Sequence, residues 1–176
     1  MGFGHCAVGL AVKPVAPKVP LGILLLATMM LDVLAIAFGW MGIEGGRAGI
    51  PWSHSLLMSV VWSVAAGLLC SRIFHNHRAG VVIGLLVFSH WALDFVSHPI
   101  PFSSFSWRSW QWSYGHPLAP DLPLLFAGSP KVGLGMYNSI SAAQATVLEL
   151  GMLVLGAAVY ITYAARKREV GGTQSG

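Results

Sequence analysis

The sequence predicts an all-α integral membrane protein, a bundle of about four transmembrane helices with a long outer loop. Three observations carry that prediction. Of the 176 residues, 55% are hydrophobic and only 9% charged, where an average soluble domain has roughly a quarter charged. Four apolar stretches approach or reach the about 20 residues that a helix needs to cross the hydrocarbon. Lys and Arg gather mostly at one end of those stretches, as the positive-inside rule requires.

In chain order, residues 1–19 read as an N-terminal tail containing Lys13 and Lys18. The first span covers residues 20–43. Its apolar run holds Asp32, exceeds a typical signal core and lacks a small-residue cleavage site, so it reads as a retained helix and not a signal peptide. Residues 55–74, 80–96 and 140–164 supply the other three spans. The third is the shortest and continues to His98, which places that histidine at the membrane boundary. The bundle thus occupies residues 20–165 as one domain. Residues 166–176 form a basic, flexible tail that turns Gly- and Ser-rich from Val170.

Orientation follows from the flanking cations. Lys13, Lys18, Arg72, Arg78, Arg166, Lys167 and Arg168 fall on one side, against Arg47, Arg108 and Lys131 on the other. Both termini are therefore expected in the cytoplasm. Residues 45–51 and 99–138 become outer loops. The second loop packs Phe102, Phe105, Trp107, Trp110, Trp112 and Tyr114 among serines, a composition suited to the membrane interface or to a lid. The later stretch 121–126 is apolar but too short to span, and reads as re-entrant.

Composition also excludes some functions. The formal charge of +4 is not organised as a basic stripe with exposed aromatics, which argues against nucleic acid. Two cysteines, Cys6 and Cys70, make neither a disulfide framework nor a thiolate zinc site.

The chemistry-bearing signal is His90, Asp94 and His98. Residues four apart share a helix face, so the three side chains form one stripe over about two turns. Such a stripe within an apolar helix is unfavourable unless it meets partners. The topology brings further groups toward the same depth. Asp32 lies about 18 Å along the first span from its inner end, and His90 and Asp94 about 15 and 21 Å along the third. His54 precedes the second span and Asp121 lies in the outer loop, giving six converging candidates.

Imidazole and carboxylate suit zinc, manganese or iron, and a set this large leaves room for a second ion or for orienting carboxylates. We take His54, His90, Asp94, His98 and Asp121 as metal ligands and Asp32 and Asp94 as catalytic carboxylates. Glu149, in the outer half of the fourth span, and His116, in the outer loop, are second-rank candidates. His75 and His77 sit with Arg72 and Arg78 in an inner turn and read as solvated. His5, in the tail, has no spacing that supports a role. Two other readings stay open: polar residues joining helices without a ligand, and a proton or ion pathway.

At these positions the chain resembles the membrane-bound metal-dependent hydrolases of the YdjM type. The matching residues are Asp32 in the first helix, His54-Ser55 opening the second, His90 with Asp94 on the third, and Asp121-Leu122-Pro123 after it. The first helix has only Leu31-Asp32-Val33 where the family pattern has Pro-Asp-x-Asp, so a single ligand is expected there. The resemblance covers residues 30–125. It implies a metal-dependent hydrolase of the bacterial inner (plasma) membrane; the donor types favour zinc or manganese, and the depth of the site suits a lipid-like or periplasmic substrate. Few basic residues stand ready to clamp a phosphate. The competing expectation is a non-enzymatic membrane component, either a small transporter or an accessory subunit, with a membrane-protein partner or a second copy of the chain.

Overall fold

The computed structural model describes residues 3–44, 50–97, 105–106, 111–112, 122–126 and 129–172. The described residues form six helices: α1 (Phe3–Ala11), α2 (Leu21–Trp40), α3 (Pro51–His54), α4 (Leu56–Ile73), α5 (His77–Ser97) and α6 (Ala142–Gly172). α2, α4, α5 and most of α6 are long and apolar enough to cross a membrane. The protein is thus an all-α, multi-pass membrane bundle of the predicted class. Two small antiparallel pairs, β1 (Phe105–Ser106) with β2 (Gln111–Trp112) and β3 (Leu122–Pro123) with β4 (Lys131–Val132), lie in the long connection between α5 and α6.

The helix boundaries follow local chemistry. Pro20, which cannot donate a backbone hydrogen bond, precedes α2. At the other end Gly42 takes φ +73°, and the Ile43 N–H donates to the Phe38 carbonyl, a glycine-terminated helix end. Ser55 separates α3 from α4 with extended backbone, and its hydroxyl accepts the Met58 N–H at 3.1 Å, capping α4. Asn76 Oδ1 accepts the Ala79 N–H at the start of α5.

α5 lies at the centre, with half of its apolar window buried, against 11% for α4 and for α6. It meets α4 along a seam of small residues. A Cβ on Gly80 would lie 2.5 Å from the Gly67 carbonyl oxygen, and one on Gly84 would lie 3.0 Å from that of Ser63. The two backbones can approach this closely only because these positions lack side chains. Leu24, Leu31, Ile83, Leu86, Val87 and Leu122 fill the core between α2, α5 and the β3–β4 hairpin.

Two expectations need correction. Residues 3–19 are not a loose tail: α1 packs against α2, α5 and α6, and Ala16 and Val19 are buried in the turn that follows. Nine residues make only about 13 Å of helix, too short for a length-based search for spans. The run Gly4, Ala7 and Gly9 lets α1 nest closely, with Gly156 of α6 directly against the Ala7 backbone. The basic stretch 166–168 is also not a loose tail, since α6 continues through it to Gly172. Ala, Arg and Lys favour helix, and the cations suit its C-terminal end. Residues 122–126 belong with 129–132 to the β3–β4 pair: the Leu124 N–H donates to the Pro130 carbonyl, and the Leu124 carbonyl accepts the Leu57 N–H.

Phe3 lies beside Glu149 of α6, and α1 runs from there toward the basic end of α6. There Lys13, Tyr160, Tyr163, Lys167 and Arg168 line a hollow of about 340 Å³. Burial and the nearby Lys167 charge hold the Lys13 ammonium below its usual pKa. Its Nζ donates to the Pro17 and Val19 carbonyls, closing the α1–α2 turn.

Candidate metal centre

Four elements deliver the site. α2 contributes Asp32, the α3–α4 junction His54, α5 contributes His90 and Asp94, and α1 contributes His5. The one-turn helix α3 starts at Pro51, and the break at Ser55 lets His54 face inward before α4 begins. On α5, His90 and Asp94 share a face as their spacing predicts, and both are buried.

Their reactive atoms converge. His54 Nε2 and His90 Nε2 are 3.3 Å apart. Asp94 Oδ2 lies 3.3 Å from His90 Nε2 and 3.7 Å from His54 Nε2. Asp32 Oδ1 lies 3.4 and 3.5 Å from the same two nitrogens. Ligand atoms held at about 2.0–2.1 Å from a tetrahedral zinc are about 3.3 Å from one another, so these separations have the size that a metal sphere requires. Two overlapping triads, Asp32–His54–His90 and His5–His90–Asp94, each bring three ligand atoms within 4.8 Å. These buried His and Asp groups could hold a metal ion.

Hydrogen bonding fixes the imidazoles for that task. His90 Nδ1 is 2.7 Å from the Thr28 carbonyl oxygen, which can only accept, so Nδ1 carries the proton. In the neutral ring Nε2 is then a bare lone pair. His54 Nδ1 is 2.8 Å from Ser53 Oγ. That hydroxyl donates to Glu44 Oε2 at 2.8 Å, and the Ser53 N–H donates to Glu44 Oε1 at 2.7 Å. Ser53 has one hydroxyl proton, spent on Glu44, so it accepts from His54 Nδ1–H and leaves His54 Nε2 bare as well. A carboxylate or carbonyl behind each histidine is the arrangement that orients metal-binding imidazoles.

His5 is the residue that sequence reasoning set aside and the structure places in the cluster. It is 1% exposed, stacks on His90 with ring centroids 3.7 Å apart and planes 5° apart, and puts Nε2 3.3 Å from Asp94 Oδ1. Glu44 and Ser53 were missed too. The signals were faint: Glu44 is one of only six acidic residues and precedes the His54 segment, and Ser53 adjoins His54.

The other candidates divide. Glu149 joins neither triad; its carboxylate accepts the Phe3 N–H at 2.9 Å and the Tyr137 hydroxyl at 3.4 Å, tying α6 to α1 and to the 3₁₀ turn Met136–Ser139. Burial and the Glu149 charge push the Tyr137 phenol up to about 12. His77 is exposed at the start of α5 with Nδ1 3.1 Å from Ser71 Oγ, and His75 is exposed in the preceding turn with φ +46°. His98, His116 and Asp121 lie outside the described residues.

One group opens the site. The Asp32 side chain is 41% exposed, while those of His54, His90 and Asp94 are at most 4% exposed. Comparison with protein-family models, with curated proteins and with solved structures gives no match.

Proposed function

We propose that the chain is a metal-dependent hydrolase of the membrane, acting on a lipid-like or periplasmic substrate, with one divalent ion held by His54, His90 and Asp94 and with Asp32 beside it as the base. The observation that carries this reading is the pair of bare Nε2 atoms facing each other and two carboxylates. Such a set repels itself unless a cation lies among it. Nitrogen and oxygen donors without thiolate favour zinc, with manganese next. An ion there supplies Lewis acidity, lowering the pKa of water to about 7 and polarising the scissile group.

The protein groups do the rest. His54 and His90 hold position through Ser53–Glu44 and Thr28. Asp94 balances charge from a buried site. Asp32, partly exposed, stands where water and substrate reach the centre and accepts the proton that water loses on attack. The basic end, marked by Lys13, Arg72, Arg78 and Arg166–Arg168, faces the cytoplasm of a bacterial inner membrane in this reading, and the substrate comes from the outer side.

Elemental analysis of protein purified without chelator tests the proposal. Near-stoichiometric zinc or manganese in the wild type, lost in the His90→Ala, Asp94→Ala double variant, is the expected result. Metal-free wild type that takes up neither ion, with its fold intact, overturns it.

A further inference from the structure

The geometry points to a second cation position in this centre, held by His5 Nε2 and Asp94 Oδ1, with the Asp94 carboxylate bridging two divalent ions. The inference rests on the metal-dependent reading above and extends it from one ion to a pair.

Asp94 is bifacial. Its Oδ2 faces His90 and His54 at 3.3 and 3.7 Å, whereas its Oδ1 faces His5 at 3.3 Å. One carboxylate therefore presents a different oxygen to each of two imidazole sets. The parallel stack of His5 on His90 sets their rings face to face, and both reach that carboxylate through Nε2. His90 cannot serve both positions, because its Nδ1 is occupied by the Thr28 carbonyl. The second position needs its own nitrogen, and His5 supplies it.

The state of His5 is the independent observation. Although it is 1% exposed, neither ring nitrogen makes a hydrogen bond of good geometry among the described residues. His5 Nε2 has only the poorly aligned contact with Asp94 Oδ1 at 3.3 Å, and such burial is costly, since the ring's N–H and its lone pair have both left water. A cation at Nε2 engages that lone pair. The interaction with Asp94 then becomes shared coordination instead of a poorly aligned contact.

Charge agrees with more than one ion. Asp32 and Asp94 lie in the cluster, and Glu44 backs His54 through Ser53. Three of the six acidic residues thus lie in or directly behind the centre, and their formal −3 exceeds what one divalent ion neutralises. Paired ions about 3.5–4 Å apart are a common hydrolytic arrangement, in which attacking and leaving oxygens are both stabilised.

Manganese titration of the purified full-length chain, read by equilibrium binding and electron paramagnetic resonance, is the test. The wild type is expected to take two Mn2+ per chain with a spin-coupled signal. His5→Phe, which keeps the stacked ring, is expected to take one with an uncoupled signal. A wild type that binds a single uncoupled Mn2+, with the same affinity in His5→Phe, overturns the second position and leaves the one-ion reading standing. A wild type that binds no Mn2+ and no zinc overturns both. The wild-type stoichiometry decides the matter even if His5→Phe fails to fold.

Discussion

His54 Nε2 and His90 Nε2 face each other at 3.3 Å while their opposite nitrogens are engaged by Ser53 Oγ and the Thr28 carbonyl. Two neutral imidazoles in these tautomers point lone pair at lone pair. The arrangement holds if a proton or a metal ion lies between them, and the two cases separate experimentally.

If the cation is a metal, chelation removes stability that zinc restores. An ion present at a hundred times its dissociation constant stabilises the folded state by about 2.7 kcal/mol. Thermal unfolding in detergent should show a lower midpoint after chelation, recovered by zinc. The same treatment should leave an Asp32→Asn, His90→Asn variant unmoved. Identical midpoints for the wild type with and without chelator would count against metal and for a shared proton.

The Ser53–Glu44 link predicts a quieter effect. Ser53→Ala leaves every direct donor in place but removes the acceptor that fixes the proton on His54 Nδ1. Loss of such an orienting partner typically weakens metal binding by about 10–100-fold. Competition titration against a zinc indicator should place Ser53→Ala in that range, and a change under about twofold would disprove the tautomer argument.

Much of this was legible in the sequence, for reasons that also explain the gaps. Leu21–Trp40 and Leu56–Ile73 are predominantly apolar runs of spanning length, so they declare themselves. His90 and Asp94 are separated by the period of a helix face and were found as a stripe. Asp32 and His54 followed from depth, because flanking charge fixes which end of each span is which. His5 escaped because α1 is half the length of a span and its neighbours Gly4, Ala7 and Gly9 act by what they lack. Periodicity does not register a helix that packs through absent side chains. Glu44 and Ser53 escaped because their role is to hold another residue's proton, which no spacing encodes.

The α4–α5 seam gives a contrast in one residue type. Gly80→Ala forces a Cβ to 2.5 Å from the Gly67 oxygen and 2.6 Å from Ser71 Cβ, whereas a Cβ on Gly151 of α6 meets nothing within 4 Å. Overpacking of this kind costs about 1–3 kcal/mol, while glycine to alanine in an open helix stabilises by about 0.4–1 kcal/mol. Denaturant titration in mixed micelles should move the two variants in opposite directions. Equal destabilisation would mean that the two helices do not meet at Gly80.

α6 joins the rest of the described bundle chiefly through α1, and the contact is closest where Gly156 meets the Ala7 backbone. Most of the α6 surface is otherwise apolar and exposed, including Val147, Val154, Leu155 and Ile161, as suits a helix facing lipid. A side chain at 156 would overlap the Ala7 carbonyl oxygen and come within 2.9 Å of its Cα, backbone atoms that cannot rotate away. Gly156→Leu should therefore lift α6 from α1 and loosen α1 itself. Cys6, half-buried on α1, reports that movement, and Cys70, half-buried on α4, serves as the internal reference. Maleimide labelling in detergent should become severalfold faster at Cys6 and stay constant at Cys70, with Gly151→Leu behaving as wild type. If Gly156→Leu leaves the Cys6 rate unchanged, the fourth span does not depend on α1 for its place, and the nine-residue helix is a passenger instead of the joint between the membrane bundle and its last helix.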